Sequence, residues 1–347
     1  MSEAYKRAGV DIAAGDAASS AAGKAAKTTF AGRKGKIGEP VNLPGGFAGV
    51  LDFGEYYVVQ CCDTVGTKID LAEKTGDFSG LGYDLLAMVA DDAACLGAEV
   101  VSITNTFETK KIDAKNIEAM MNSLAKACCE QNIVIAGGEI AEVGEKIQGT
   151  SWGADAIGVV KKDRIITGEN IAEGDTVIAL QETSFRCNGY SLVRKILREH
   201  APENADLYKR CAAPSTVYHS AVLSVLGRFD EARKVELTGI AHITGGGIPG
   251  NINRILRKEH LGVRLDALFP LSPEMHELAT LGNIPLREVY QVWNGGNGML
   301  VTCHPSDAET VLSLFTQSGV KAQRAGEITA SGVVEIQTSN EVLVYEK

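Results

Sequence analysis

Several short segments of this 347-residue chain set acids, glycines, a lysine and a histidine at spacings that could serve phosphate and metal chemistry. The first, CCDTVGTKID at 61–70, ends an apolar run in an acid, a glycine and a Thr-Lys pair. Gly66 can take backbone angles that other residues avoid, so the segment reads either as a plain strand-to-turn junction or as a phosphate and metal corner. In the second reading Asp63 gives oxygen to a hard cation and Lys68 supplies a point charge. The second segment, GLGYDLLAMVADDAACLG, predicts a helix from about 81 to 96. At about 100° per residue, Asp84 and Asp91 fall within roughly 20° of one face and Asp92 sits about 80° round from Asp84. Such carboxylates form a solvated face, or else they are buried and must be paired or bind a metal.

The third segment, IVIAGGEIAEVGE, places Glu139 just past a strand and the pair Gly137-Gly138, with Glu142 following. It reads as an ordinary turn, or as acids sharing magnesium with those at 63 and 84–92, since hard divalent ions prefer carboxylates, waters and phosphate oxygens together. In AHITGGGIPGNINRIL, Gly245, Gly246 and Gly247 follow a short β-like run and Pro249 suits an early helix position. Loop amides and a helix N-terminus there could face an anion. The segment is neither the dinucleotide Gly-x-Gly-x-x-Gly nor a Walker A loop. His242 leads into it, as a structural residue or as a mover of protons. Asn188, Ser191 and Arg194 in SFRCNGYSLVRKIL could hold a polar substrate where a loop becomes a helix, and in WNGGNGML glycines bracket Asn294 and Asn297.

The elements that must carry these residues alternate between two periodicities. Apolar β-favouring runs at 56–62, 99–104, 132–136, 155–160 and 176–180 alternate with helical patterns, which predicts mixed α and β layers. The clearest helix spans 115–130, where Ile117, Met120, Leu124 and Cys128 recur at helical spacing as core residues. Ser306 and Glu309 after Pro305 predict a capping box and a helix start. The chain exceeds the usual size of one core, and the polar, turn-rich stretch 161–175 divides it into domains at 39–162 and 172–345. Residues 1–38 read as a flexible N-terminal arm, because 17–38 hold almost nothing to bury, and their lysines and glycines suit a flap over a phosphate ligand.

Composition narrows the partners. A formal charge of -10 argues against nucleic acid, and no stretch reaches the length of a membrane span. Without a signal-peptide core at the N-terminus, the expected compartment is the cytoplasm. Eight cysteines include no Cys-x-x-Cys, so zinc and dithiol chemistry find no support.

Taken in order, the segments resemble one family along nearly the whole chain: phosphoribosylformylglycinamidine cyclo-ligase, also called aminoimidazole ribonucleotide synthetase. The carrying residues are YKRAGVDIAAGD at 5–16, DTVGTK at 63–68, GYDLLAMVADD at 82–92, LGAE at 96–99 and AGGEIAE at 136–142. They continue with NGYSLVRKIL at 188–197, AP at 213–214, AHITGGGIPGNINRIL at 241–256 and NGGNGM at 294–299. The resemblance implies a two-domain mixed α/β (α+β) subunit, a homodimer whose N-terminal sheets pair into a barrel-like core, and ATP-dependent ring closure of formylglycinamidine ribonucleotide with magnesium. It implies a metal-ATP site at Asp63, Asp92 and Glu139, with Gly66, Thr67, Lys68, Asp84, Gly137 and Gly138 around ATP and Lys68 approaching the phosphates. Asn188, Gly189, Ser191 and the glycines 245–247 would hold the ribose phosphate, and His242 would transfer protons.

The chain departs from the family pattern at several points. Arg186 stands where a His is usual and could supply another phosphate contact. Thr64 replaces a glycine, Ile140 a threonine, and WNGGNGM a Cys-Gly-Val-Gly-Met form. Lys24 and Lys27 do not align securely with the family's N-terminal lysine. These changes leave open a paralogue phosphorylating another substrate, or a catalytically silent nucleotide-binding regulator.

Overall fold

The computed structural model describes residues 9, 12–43 and 46–347; the expected arm at 1–38 and the motif at 5–16 therefore lie partly outside the described residues. From residue 12 the arm is helical, α1 (Ile12–Lys27), with its described side chains exposed. A helix rich in Ala, Gly and Ser offers little apolar stripe to dock, consistent with that exposure.

The first unit comprises β1 (Glu39–Pro40), β2 (Gly49–Asp52), β3 (Tyr56–Thr64), α2 (Ile69–Thr75), α3 (Leu81–Ala94), β4 (Glu99–Thr109), α4 (Ala114–Gln131), β5 (Val134–Glu142) and β6 (Thr150–Lys161). Its six strands run in the order β1-β2-β3-β6-β4-β5. Among the described residues of this sheet only β4 and β5 pair parallel, across the helical crossover α4. β3 alternates strictly: Val59 and Cys61 are buried against α3 while Gln60, Cys62 and Thr64 face outward. The apolar helix α3 therefore lies on the inner face of the sheet, and α4 packs against α3 through Met120, Leu124 and Cys128. Asp113 caps α4 by accepting from the Lys115 and Asn116 amides, and Asn132 ends it in the left-handed region that favours Asn.

The second unit contains β7 (Thr176–Gln181), α5 (Tyr190–His200), α6 (Ala205–Cys211), α7 (His219–Leu226), β8 (Gly239–His242), α8 (Gly247–Ile252), β9 (Gly262–Leu265), α9 (Pro273–Leu281) and α10 (Leu286–Val292). It closes with β10 (Asn297–Cys303), α11 (Ala308–Gln317), β11 (Ala322–Thr329), β12 (Val334–Gln337) and β13 (Val342–Tyr345). Its seven strands run β13-β12-β9-β11-β7-β10-β8, with β9 and β12 the one parallel pair among the described residues. The first sheet ends at Lys161 and the second begins at Thr176.

Two local expectations are corrected. Glu139 and Gly137-Gly138 do not form a turn, because β5 continues through them to Glu142 on the hydrogen bonds of β4. Gly138 is glycine because an added Cβ would lie 2.8 Å from the Asn105 carbonyl oxygen. The predicted capping box is absent: Ser306 sits inside a 3₁₀ turn capped by His304, and α11 starts two residues later.

His219 on α7 is fully buried and its Nε2 accepts from the Val100 amide. Burial holds its pKa down to about 3. The unfolded imidazole takes a proton near its usual pKa of about 6.5 and the folded one does not, so this contribution is complete above that pH and is lost as pH falls toward 3. We expect the melting temperature of a His219→Gln variant to fall less steeply than wild type between those limits. Parallel slopes in a calorimetric pH series would remove His219 as a cause.

Candidate active site

Asp63 stands near the end of β3, on the inner face of the sheet, and accepts from the Thr64 amide at 2.7 Å. Asp92 lies on α3, which packs against β3. Each acid is half-buried and Asp92 repels Asp63, so burial first and repulsion second push Asp63 up to about 6. Burial pushes Asp92 up to about 7 against the pull of Arg254 and Arg186. Two desolvated carboxylates in mutual repulsion form a site that a cation would stabilise.

His242, the last residue of β8, is fully buried and its Nδ1 lies 2.8 Å from Asp92 Oδ1. Burial, with Arg186 and Arg254 adding to it, drives its pKa well below the usual value, so the imidazole is neutral. With Asp92 ionised, as a bound cation would hold it, the proton of the neutral ring sits on Nδ1 and is donated to Asp92. Nε2 is then a bare acceptor, and it has no hydrogen-bond partner. That is the form a general base requires.

Around this pair the second unit brings two loops together. Gly189, at φ 78°, caps the N-terminus of α5, and Asn188 just before it has an unpartnered Oδ1. The three glycines are not equivalent. An added Cβ on Gly247 would fall 2.0 Å from the Tyr290 carbonyl oxygen, so this glycine is demanded by packing against α10. Gly246 has φ 90°. Gly245 is exposed, and its Cβ position meets only the Asn188 amide nitrogen at 3.6 Å. Gly66 and Thr67 are exposed in a 3₁₀ turn whose nearest outside neighbour at Gly66 is the Cys187 carbonyl.

Other expected members are placed elsewhere. Lys68 does not approach a phosphate: it is fully buried, 2.7 Å from Asp84 Oδ1 and 2.6 Å from the Ala213 carbonyl. Asp84, expected around ATP, is committed through Oδ1 to Lys68 and to the Ser215 amide and hydroxyl, while its buried Oδ2 has no partner. Neither helix acid is a solvated face, because Asp91 is equally buried, against Arg186. Arg186 is committed elsewhere, its guanidinium paired with both Asp91 and Glu182. Arg194 pairs with Asp70. Asn294 and Asn297 are buried loop pins, bonding Ser184, Phe269 and Gly295 carbonyls.

Glu139 is separated from Asp63 by the sheet itself. Across the strands Asp63 is in register with Ala154, Asn105 and Gly138, whereas Glu139 lies in the row of Thr64, Gly153 and Thr106 on the outer face. Three strand spacings make that gap about 14 Å. Within this chain Glu139 joins neither acid. Among the described residues no group of three or more His, Cys, Asp or Glu is placed to hold a metal ion.

One residue of the site was not singled out in the sequence. Arg254, after α8, stacks its guanidinium 3.8 Å from the centre of the Phe47 ring, donates to the Gly46 carbonyl, and acts on both Asp92 and His242. Its only signal was a basic residue closing the glycine segment; Phe47 comes from a distant loop of the first unit. A cavity of about 740 Å³ lined by Glu73, Lys110, Asp113 and Glu142 includes none of the residues of this site.

Comparison with known proteins agrees along the length of the chain. The sequence profile of the AIR synthase related protein N-terminal domain matches residues 45–160, and that of the C-terminal domain matches 172–339. The phosphoribosylformylglycinamidine cyclo-ligase of Pyrococcus furiosus is 35% identical over 318 residues, covering 90% of this chain and 91% of that protein. The protein of the same name from Methanococcus vannielii is 32% identical and covers 99% of this chain and 97% of its own length. Among solved structures, AaThiL complexed with AMPPCP and TMP superposes with a TM-score of 0.60 at 14% identity, over 88% of this chain and 92% of that one.

Proposed function

Because this chain belongs to the AIR synthase related protein family, we propose that Asp63, Asp92 and His242 carry the phosphoribosylformylglycinamidine cyclo-ligase reaction named for its relatives. The observation that carries this assignment is the Asp92–His242 hydrogen bond, which joins the two family domains and leaves Nε2 bare. The reaction is ATP-dependent. The amide oxygen of formylglycinamidine ribonucleotide takes the γ-phosphoryl group, an amidine nitrogen attacks that carbon, and phosphate leaves as the imidazole ring closes. His242 Nε2 takes the proton that the attacking nitrogen must shed, and Asp92 holds the imidazole in the tautomer that can receive it. Asn188, Gly189 and Ser191 at the N-terminus of α5, with Gly245 opposite, hold the ribose phosphate. Arg254, preorganised by its stacking on Phe47, neutralises phosphate charge.

Magnesium fits the donors present, since that ion is ordinarily bound by one or two carboxylates together with substrate phosphates. Asp63 and Asp92 would hold it, and it would neutralise charge on the transferring phosphoryl group. Asp63→Asn should therefore lose ATP turnover most sharply at limiting magnesium, and a variant with full turnover there would remove Asp63 from this role. We also assign the outer face of the first sheet, where Val101, Ile157 and Val134 are exposed, to pairing with a second copy. That face carries Glu139 and gives it a site to join. Among the described residues no helix is long and apolar enough to cross a membrane, and we place the chain in the cytoplasm.

Incubation with ATP, magnesium and formylglycinamidine ribonucleotide should yield aminoimidazole ribonucleotide and ADP in equal amounts. ADP alone would mean another acceptor, and ATP binding with neither product would mean a silent nucleotide-binding protein.

A further inference from the structure

Arg186 is the second fully buried cation of the junction between the two units. Its Nη2 lies 2.6 Å from Asp91 on α3, and its Nη1 lies 3.0 Å from Glu182 just after β7 and 2.8 Å from the Thr216 carbonyl. The ring of Tyr218 lies against the guanidinium at 5.2 Å. Asp91 in turn accepts from the Tyr218 amide, and Glu182 from the amides of Thr183, Ser184 and Thr216. The backbone at Arg186 has φ 57°, a left-handed conformation unusual for a residue other than Gly or Asn. Such strain persists where the surroundings over-determine it. Here the Ser184 hydroxyl holds the Arg186 amide, and Asn294 holds the Ser184 carbonyl.

The fork thus binds both sides of the site at once. Asp91 precedes Asp92 on α3, and Arg186 precedes Asn188 by two residues. A lysine could pair with one carboxylate but not span both, because its charge is a point rather than a planar fork.

We propose that Arg186 is a positioning residue for ring closure, holding the Asp92–His242 pair and the Asn188 loop in fixed relation through Asp91 and Glu182. This rests on the site reading given above. It predicts that the two sides lose their common frame when the fork is removed, although no atom of Arg186 meets substrate.

The test is the full-length Arg186→Lys variant, read in two ways. Amide exchange should rise about tenfold or more in 184–189 and 241–247 while α4 keeps its protection. Turnover per folded molecule should fall by about 10²-fold, with ADP forming faster than aminoimidazole ribonucleotide, as misplacement of reacting groups produces. Wild-type exchange and turnover per folded molecule, with only a lower melting temperature, would overturn the proposal and leave Arg186 a packing residue. If wild type makes no imidazole, the site reading fails and the exchange measurement alone decides the positioning role. Should Arg186→Lys not fold, Arg186→Gln with Asp91→Asn and Glu182→Gln leaves no unpaired buried charge and takes the same two readouts.

Discussion

Replacing His242 with Asn should lower the turnover number for ring closure by about 10²–10⁴-fold, the range typical of lost general acid–base catalysis, while the protein stays folded. The choice of Asn follows from the geometry. Its side-chain amide can occupy the place of Nδ1 and keep the bond to Asp92, which is 2.8 Å long in the wild type. What disappears is Nε2, the buried atom with no partner. His242→Gln makes the reverse exchange, reaching toward the Nε2 position but losing the donor to Asp92. If Nε2 moves the proton, both variants are slow, and neither is rescued by saturating ATP or substrate. Should the Asn variant turn over within about threefold of wild type, a margin well below that of a lost general base, the imidazole is structural and the proton leaves by another route.

The second large effect concerns stability. Asp84→Leu alone should cost about 3–5 kcal/mol, because it strands the Lys68 ammonium in a place with no water. Both side chains are fully buried, and the oxygen that meets Lys68 also receives Ser215 from the second unit. Lys68→Met should cost a similar amount for the mirrored reason. The double variant Lys68→Met with Asp84→Leu removes both charges together and should recover most of the loss, since a buried pair gains little over apolar groups of like volume. Urea unfolding of the four proteins measures this cycle. Additive losses in the double variant would mean that the packing of α2 and α3, not the unpaired charge, sets the cost. The same cycle tests the reassignment of Lys68: if Lys68 served phosphate instead, Lys68→Met would abolish ATP turnover without destabilising the fold.

Much of the site was legible as residue types in order. Asp63 at a strand end, Asp92 on an apolar helix and His242 before three glycines were all readable, because period and glycine placement are local properties of the chain. The strand and helix identities of β3, α3 and α4 follow from the same short-range signal. Local pattern could not say which acids meet which cations. Asp84, Asp91 and Asp92 differ by a few positions on one helix, yet Lys68 takes the first, Arg186 the second and His242 the third.

That sorting is decided by which elements pack around α3, and burial converts each small difference in direction into a different chemical role. A buried carboxylate must find a partner, and the partners come from residues up to 150 positions away. Register across the first sheet likewise placed Glu139 on the far face from Asp63, a consequence of the two-residue period of strands that no spacing between motifs reveals. The sequence by itself determined the catalytic vocabulary and the elements that bear it. The tertiary structure decided which charges neutralise one another, and it left Asp63, Asp92 and His242 for the chemistry we propose.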